Sequence, residues 1–597
     1  MAPRFFATHR TDGYLPIEAY GVLGDGRTVA LSGADGAVDW WCVPNMDSPP
    51  LFDRLLDAEQ GGYFALSPRD VVRVERRYRQ HSNVLETTVH TQHGVARITE
   101  SLNSGTAGRL PWEELARRIE GLEGSVTFDL QLRFGRQADH ANPYLARQGS
   151  QTVFHVGRVL GVVVASDGID LSRMDDDGLV TVVTVTAGER EVVAIVAGQD
   201  EPLIVPDIER IDARIDTSDD EWRRWADQLQ AKGPHRDALI RHALALKLLL
   251  YAPTGAISAA GTTSLPEAIG GRLNYDYRYA WVRDASYTIK AFSRLGAHAE
   301  AKAAFTWLVN RLRDSDGDLF FTLDGSPPAD VREIDMPGYR HSRPVVTGNQ
   351  VVHQHQHGVY GDIMETAARF VKHGNVLDAE TAAILSRLAD QCADAWRQKD
   401  SGIWELTERQ HYTMSKISAW QALARAVELA DGGYLPTTCR ERWARERDRV
   451  AAWIEIHCWS EALQAFEMYP GSGQLDASLA LAVRFRFDGH ERLRKTMLAI
   501  ERQLGDGAFH FRYSKVRGKE GCFIACTFWM AEAWHLLGEQ RKAETTLHDV
   551  LDALSGGPGT LAEMVDPASR AWLGNVPQGL SHLAAVHGIL TVMGVDL

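Results

Sequence analysis

The feature that most constrains this chain is a change of hydrophobic period partway along it. From about residue 63 to residue 198 apolar residues recur every second position, as where Val126, Phe128, Leu130, Leu132 and Phe134 alternate with Thr127, Asp129, Gln131 and Arg133. Such a strand is apolar on one face and wet on the other. Further short β-rich runs at 84–89, 159–165, 179–185 and 191–196 are separated by turn signals such as Asp167-Gly168 and Asp177-Gly178. Strands at this spacing predict an antiparallel β-sandwich.

From about Asp219, with Trp222 and Trp225 three apart, the pattern becomes helical and stays so to the end. Residues 219–234 are expected to form a linker helix, and about twelve helices to follow. These begin near His235, Asp284, His298, His353, Asp378, Met414, Arg440, Leu475, His490, Cys522, Arg541 and Gln578. Twelve helices make six antiparallel pairs, a toroid of hairpins whose long loops gather at one end and carry function. The expected architecture is therefore multidomain β plus α: a sandwich over 1–218, the linker, and an (α/α)6 barrel over 235–597. At 597 residues the chain exceeds the size at which one core stops growing. Chemistry is expected in the loops 251–283, 314–352, 400–413, 505–521 and 556–576, since loops longer than about 12–15 residues are uncommon without a purpose.

Composition removes several classes of function. A net charge of -15, with no long basic block, speaks against a nucleic-acid partner. The six cysteines show no CxxC pairing, which indicates neither a disulfide framework nor a thiolate zinc site; reduced, mostly buried thiols are expected. The first residues hold no leader-like apolar run, and no run of about 18 uncharged apolar residues occurs anywhere, so a soluble, unexported, cytoplasmic protein with no membrane partner is expected. The 16 Trp and 16 Tyr supply flat rings that suit the C–H face of a pyranose, although most rings in any protein belong to the core.

One loop concentrates polar groups and rings. Residues 274–286, Asn-Tyr-Asp-Tyr-Arg-Tyr-Ala-Trp-Val-Arg-Asp-Ala-Ser, precede a helix. Arg283-Asp284 can supply donors and acceptors to vicinal hydroxyls; equally, Asp284 can cap the helix with Arg283 as a local ion pair. The spacing leaves both readings open.

This loop resembles a motif of glycoside hydrolase family 15, the family of glucoamylases, glucodextranases and bacterial trehalases. Matches follow in order along the chain: Asp39-Trp-Trp-Cys-Val-Pro44 with Asp47-Ser-Pro49, Gly338-Tyr-Arg-His-Ser-Arg-Pro-Val345 with Gly348-Asn349, and Gly402-Ile-Trp-Glu405. Then come Leu475-Asp-Ala-Ser478, Glu520-Gly521, Cys526-Thr-Phe-Trp529, Leu561-Ala-Glu563, and Gly574-Asn575 with Pro577-Gln578. The resemblance implies the same sandwich and (α/α)6 barrel, and an exo-acting hydrolase that inverts the anomeric centre. It makes Glu405 the general acid and Glu563 the general base, an inverting pair with carboxyls about 6.5–9.5 Å apart. Ile403 and Trp404 would desolvate Glu405 and raise its pKa. By the same matching Arg283 and Asp284 hold the non-reducing glucose, Trp281 packs on it, Tyr277 lies near the attacking water, and Arg343, Trp404 and Arg512 add substrate contacts. No cofactor is implied.

Two stretches depart from the family pattern. Residues 353–362 read His-Gln-His-Gln-His-Gly-Val-Tyr-Gly-Asp, with Gly358 where an Asp is usual and Asp362 where a Glu is usual. Leu406 stands where some fungal glucoamylases carry a second Glu. His353 and His357, at i and i+4, would share a helix face, and His355 lies between them. With no third ligand at a familiar spacing, hydrogen bonding is favoured over metal. The expected substrate is a small α-glucoside, cleaved in a glucoamylase-like way at α-1,4 or α-1,6 linkages. A trehalase acting on the α,α-1,1 linkage is the alternative, followed by a sugar phosphorylase or a non-catalytic sugar-binding protein on the same fold.

Overall fold

The computed structural model describes residues 6–104, 110–135, 143–175, 178–314, 318–487 and 489–595. Asp177 of the expected Asp177-Gly178 turn, and the side chain of His353, lie outside the described residues.

Two antiparallel sheets share one long strand, Glu113–Arg133. Its first half pairs with Gly94–Leu102 and Arg190–Gln199, and its second half with Tyr63–Pro68 and Gly178–Thr186. The period-two residues Val126, Phe128, Leu130 and Leu132 are buried in this second half, while the intervening residues are partly exposed. They meet Val74, Leu85, Ile98 and Ile195 of the facing sheet in one apolar core. The expected sandwich is present because each strand has a single apolar face to bury.

The first helix, α1 (Ile208–Asp227), begins earlier than the expected linker helix. The Trp222/Trp225 pair marks only its C-terminal half. Its first half carries the apolar stripe Ile208, Ile211 and Ile215, which packs on Val84, Ala116, Ala194 and Val196 on the outer face of the sandwich.

Twelve helices follow: α2 (Arg236–Leu249), α3 (Val282–Arg294), α4 (His298–Asp314), α5 (Gly358–Lys372), α6 (Ala379–Ala395), α7 (Thr413–Asp431), α8 (Arg440–His457), α9 (Ala480–Arg484), α10 (His490–Leu504), α11 (Ile524–Leu536), α12 (Gln540–Ala553) and α13 (Gly579–Val592). The odd-numbered helices α3 to α13 form an inner ring, closed by α13 against α3, and the even-numbered ones lie outside. Burial follows this division. Helices α11 and α13 are buried almost throughout, whereas α8 and α12 bury a single stripe.

Inner helices connect to the next outer helix through short links such as Leu295-Gly296-Ala297. Outer helices return to the next inner helix through long loops, so every inner helix starts at the same end of the barrel. We call this end the mouth and the other the floor. Short two-residue strand pairs, such as Ala280–Trp281 with Phe320–Phe321, pin these loops. The sandwich also braces them: Trp40 Nε1 donates to the Gly261 carbonyl (3.0 Å), Arg278 Nη1 to the Ser48 carbonyl (2.9 Å), and the Leu323 N–H to Asp47 (3.1 Å). The Asp39–Pro49 motif is thus support for the mouth. Asp39 itself is buried between Arg10 and Arg54.

Two expected helices differ from the sequence reading. The helix expected from His353 starts only at Gly358; Gln350–His353 is a separate 3-10 turn, so His353 and His357 do not share a helix face. The helix expected at Leu475 is a 3-10 turn followed by five residues of α9, because Asp476 turns back to accept from the Ser478 N–H. All six cysteines are free thiols, five of them buried. No helix among the described residues is long and apolar enough to cross a membrane.

Candidate active site

A narrow pocket at the mouth is lined by Tyr277, Trp281, Arg283, Asp284, Trp404, Glu405, Arg512 and Glu563, with Ile403, Phe523 and Gln578. Eight of the nine expected site residues therefore converge from four separate loops. Arg343 does not: it is exposed and pairs with Asp335 on the surface (3.5 Å).

Glu405 sits in a left-handed turn, with φ of 59° after Gly402 at 67°. A non-glycine residue there carries local strain, a feature that clusters at functional sites. The turn is held from several sides. Gln354 Nε2 donates to the Glu405 carbonyl (2.9 Å), Arg283 Nη1 to the Ile403 carbonyl (2.9 Å), and the Leu406 N–H to the Ser401 carbonyl (3.0 Å). Trp404 Nε1 donates to Asp476 (2.8 Å), which explains the Leu475–Ser478 motif: it anchors the tryptophan beside Glu405. Burial raises the Glu405 pKa, with Asp284 adding repulsion, while Arg283, at 3.5 Å, pulls it down.

Glu563 is buried, and its carbonyl accepts from the first N–H of α11 (3.1 Å). Gly574 passes beneath it with φ of 73°, and a Cβ there would lie 2.5 Å from Glu563 Oε2. Only glycine meets both demands. Asn575 then ties three strands of chain together through Thr262, Leu265 and the Tyr275 carbonyl, and its N–H faces Glu563. Burial and the nearby Glu267 hold the Glu563 carboxyl well above the usual range, opposed by Arg512 and the Asn575 N–H.

Arg512 lies between two buried acids, with Nη2 2.7 Å from Glu267 Oε2 and 2.5 Å from Glu520 Oε2. Glu267, pushed up to about 7 chiefly by burial, was not among the expected site residues. It lies in the 251–283 loop as a lone acid after Pro266, a setting that marks no function. Gln356, which bonds Glu405, was also missed; its signal was the polar run after Asn349.

The pocket holds unmet hydrogen-bonding groups of both kinds. Trp281 Nε1 is buried without a hydrogen-bond partner, as is Glu267 Oε1 behind Arg512, and Arg283 Nε and Asp284 Oδ2 have only their contact with each other. Arg283 and Asp284 also form the local ion pair that the sequence left open (Nε to Oδ2, 3.3 Å), at the start of α3. Buried donors and acceptors left idle together call for a ligand that is both, and hydroxyl groups are.

Beside this pocket lies a second lobe lined by Arg283, Tyr287, Gly358 and Asp362. A Cβ on Gly358 would meet only Ser418 Oγ, at 3.8 Å, so the missing side chain leaves open space. Asp362, one turn on and pushed up to about 6 by burial, is the acid facing Arg283 there. Leu406 packs against the core. His355 is exposed, while the N–H of His357 donates to Asp400 (2.9 Å). No cluster of three or more His, Cys, Asp or Glu able to hold a metal occurs among the described residues.

Comparison with known proteins agrees with this fold. Residues 233–554 match the model of glycosyl hydrolases family 15, and residues 10–207 match a trehalase-like N-terminal domain. A trehalase of Thermoplasma volcanium is 31% identical over 591 residues, covering 96% of this chain and 93% of the relative. A trehalase of Mycobacterium tuberculosis is 31% identical over 630 residues, covering 97% and 90%. A bacterial glucoamylase solved with acarbose superposes with a TM-score of 0.70 at 12% identity, covering 100% of this chain and 95% of that one, a likeness of fold. The chain belongs to glycosyl hydrolases family 15, an inverting family, and is an α-glucoside hydrolase.

Proposed function

We propose that the chain is a trehalase, splitting the α,α-1,1 bond of trehalose with inversion, with Glu405 as general acid and Glu563 as general base. The observation that carries the reading is one pocket in which two carboxyls, Glu405 half-buried and Glu563 buried, flank donors and acceptors suited to a glucosyl ring. Similarity to trehalases over nearly the whole chain, including the N-terminal domain, favours this linkage over the glucoamylase-like reading.

In this mechanism Arg283, Asp284 and the Trp281 N–H hold the hydroxyls of one glucose, and Arg512 reaches the same ring. Glu405 gives its proton to the bridging oxygen, and Glu563 takes one from a water attacking the opposite face of the anomeric carbon. The reaction needs Glu405 protonated while Glu563 is ionised. Burial raises the Glu405 pKa, the direction a general acid requires. For Glu563 burial acts in the wrong direction, and the counterweight is Arg512 with the Asn575 N–H. Near neutral pH Glu267 can take up a proton, which removes its repulsion of Glu563 and leaves Arg512 free to favour the ionised base.

Incubation with trehalose, maltose, isomaltose and panose tests the reading. Glucose from trehalose is expected. Release from maltose or panose with trehalose untouched would overturn it in favour of a glucoamylase-like enzyme, and glucose 1-phosphate formed only with phosphate would show phosphorolysis.

A further inference from the structure

At the floor of the barrel a second small cavity, of about 30 Å³, is lined by Lys290, Arg294, Glu365, Arg369, Arg484 and Phe485. Most of its charges can be accounted for internally. Arg369 and Arg425 share Glu365, and Arg484 pairs with Glu532. Arg294 has no carboxylate, but it donates to the Val595 carbonyl (3.0 Å) and to Thr591, as a cation in the last turn of a helix should. Its Nε remains without a partner.

Lys290 is the exception. Its side chain is 7% exposed, and its ammonium makes no hydrogen bond or ion pair among the described residues. It touches the face of Tyr287, at 4.3 Å, and feels the carboxylates of Glu365 and Asp362 only from beyond ion-pair distance. Burial brings its pKa down only to about 8, so it stays charged near neutral pH. Five basic side chains thus face three acidic ones, Glu365, Glu532 and Asp362, around a space that Lys290 borders without a contact partner. An unpaired buried charge is among the most costly arrangements a core can contain.

We propose that this cavity is a binding site for a monovalent halide, chloride in the cell, held by the Lys290 ammonium. The lining favours a halide over an oxyanion. Room and charge are the reasons: about 30 Å³ admits one small ion, and the Glu365 carboxylate on the wall repels the higher charge of phosphate or sulfate more strongly. An exposed residue, His373, also borders the cavity, which gives the ion a route to solvent. The site is tied to the mouth through α3. Arg283, Tyr287, Lys290 and Arg294 lie along one face of that helix at spacings of three and four, and Tyr287 hydrogen-bonds Asp362. Chloride at the floor therefore steadies the helix that presents Arg283 to the sugar.

The test uses the full chain prepared without halide. Crystals soaked in bromide are expected to show an anomalous peak in contact with Lys290 Nζ; ordered water alone, or sulfate or phosphate in its place, would overturn the proposal. In solution the Tm is expected to rise with the logarithm of chloride concentration, measured against methanesulfonate at equal ionic strength. Identical melting in the two salts would overturn it. Lys290→Met, which removes the unpaired charge, is expected to melt above the wild type without chloride and to lose the chloride dependence. A variant that retains the dependence would contradict the site. Should that variant fail to fold, the bromide map and the wild-type salt comparison each decide the matter alone.

Discussion

The mouth and the floor of the barrel are opposite ends of the same six inner helices, and they carry opposite charge. At the mouth Glu267, Glu405, Glu520, Glu563 and Asp284 gather around Arg283 and Arg512. At the floor Lys290, Arg294, Arg369, Arg425 and Arg484 gather around Glu365 and Glu532. Both arrangements suit the helix dipoles, whose positive ends point to the mouth and negative ends to the floor. The consequences differ because the balance of partners differs. At the mouth burial, with acids outnumbering cations, pushes Glu267, Glu405 and Glu563 up toward the range where protons are exchanged. Cations outnumber acids at the floor. Burial would raise Glu365 too, but Arg425, Lys290 and Arg369 outweigh it and hold the carboxyl at about 2. The same polarity of fold thus yields a reactive end and a structural end.

Removing a carboxyl from each end is the sharpest way to break this contrast. At the mouth, Glu405→Gln or Glu563→Gln is expected to cut kcat by about 10²–10⁴-fold, the usual share of general acid–base catalysis, with melting little changed. The double variant should lose less than the product of the two, since the residues act as a unit. Steady-state kinetics beside a melting curve checks both statements.

At the floor, Glu365→Gln is expected to cost about 3 kcal/mol of stability by leaving Arg369 without a carboxylate and Arg425 with only the exposed Glu428. Because folding depresses the Glu365 pKa, its contribution is complete above about 4.5 and is lost as pH falls toward 2. The gap between variant and wild type in denaturant unfolding should therefore close on acidification.

Glu267→Gln sharpens the comparison from inside the mouth. It removes a repelling carboxyl from Glu563, so the acid limb of the kcat/KM profile should move to lower pH. An unmoved limb would mean that Glu267 does not govern the base. The smallest effect is expected at Gly358→Ala, which enters open space: melting should change by about 1 kcal/mol or less, as for a small surface or loop change. Its KM for trehalose reads whether the second lobe touches substrate.

Much of this was legible in the sequence, for reasons that differ by region. The sandwich showed because residues such as Phe128 and Leu130 face one core at period two, and the barrel because helical segments recur between loops of unequal length. The catalytic pocket was legible only through an ordered series of motifs; nothing local distinguishes Glu405 from a surface acid. Adjacency in a motif also misleads. Arg343 sits in a matched segment yet turns to solvent, whereas Glu267, in no matched segment, reaches Arg512 across 245 positions of chain. Asp476 read as the start of a helix and proved to be the anchor of Trp404. The floor cavity left no trace in the sequence, since Lys290, on a helix face shared with Arg283, Tyr287 and Arg294, looks like any solvated lysine until the ring closes around it.

Proton NMR of trehalose hydrolysis tests the central claim most directly, because inversion at one ring leaves the two glucoses with different anomeric configurations. The account predicts α- and β-glucose in equal amounts in the first minutes, before mutarotation, and none from a Glu563→Gln sample on the same timescale. Initial release of α-glucose alone would contradict it.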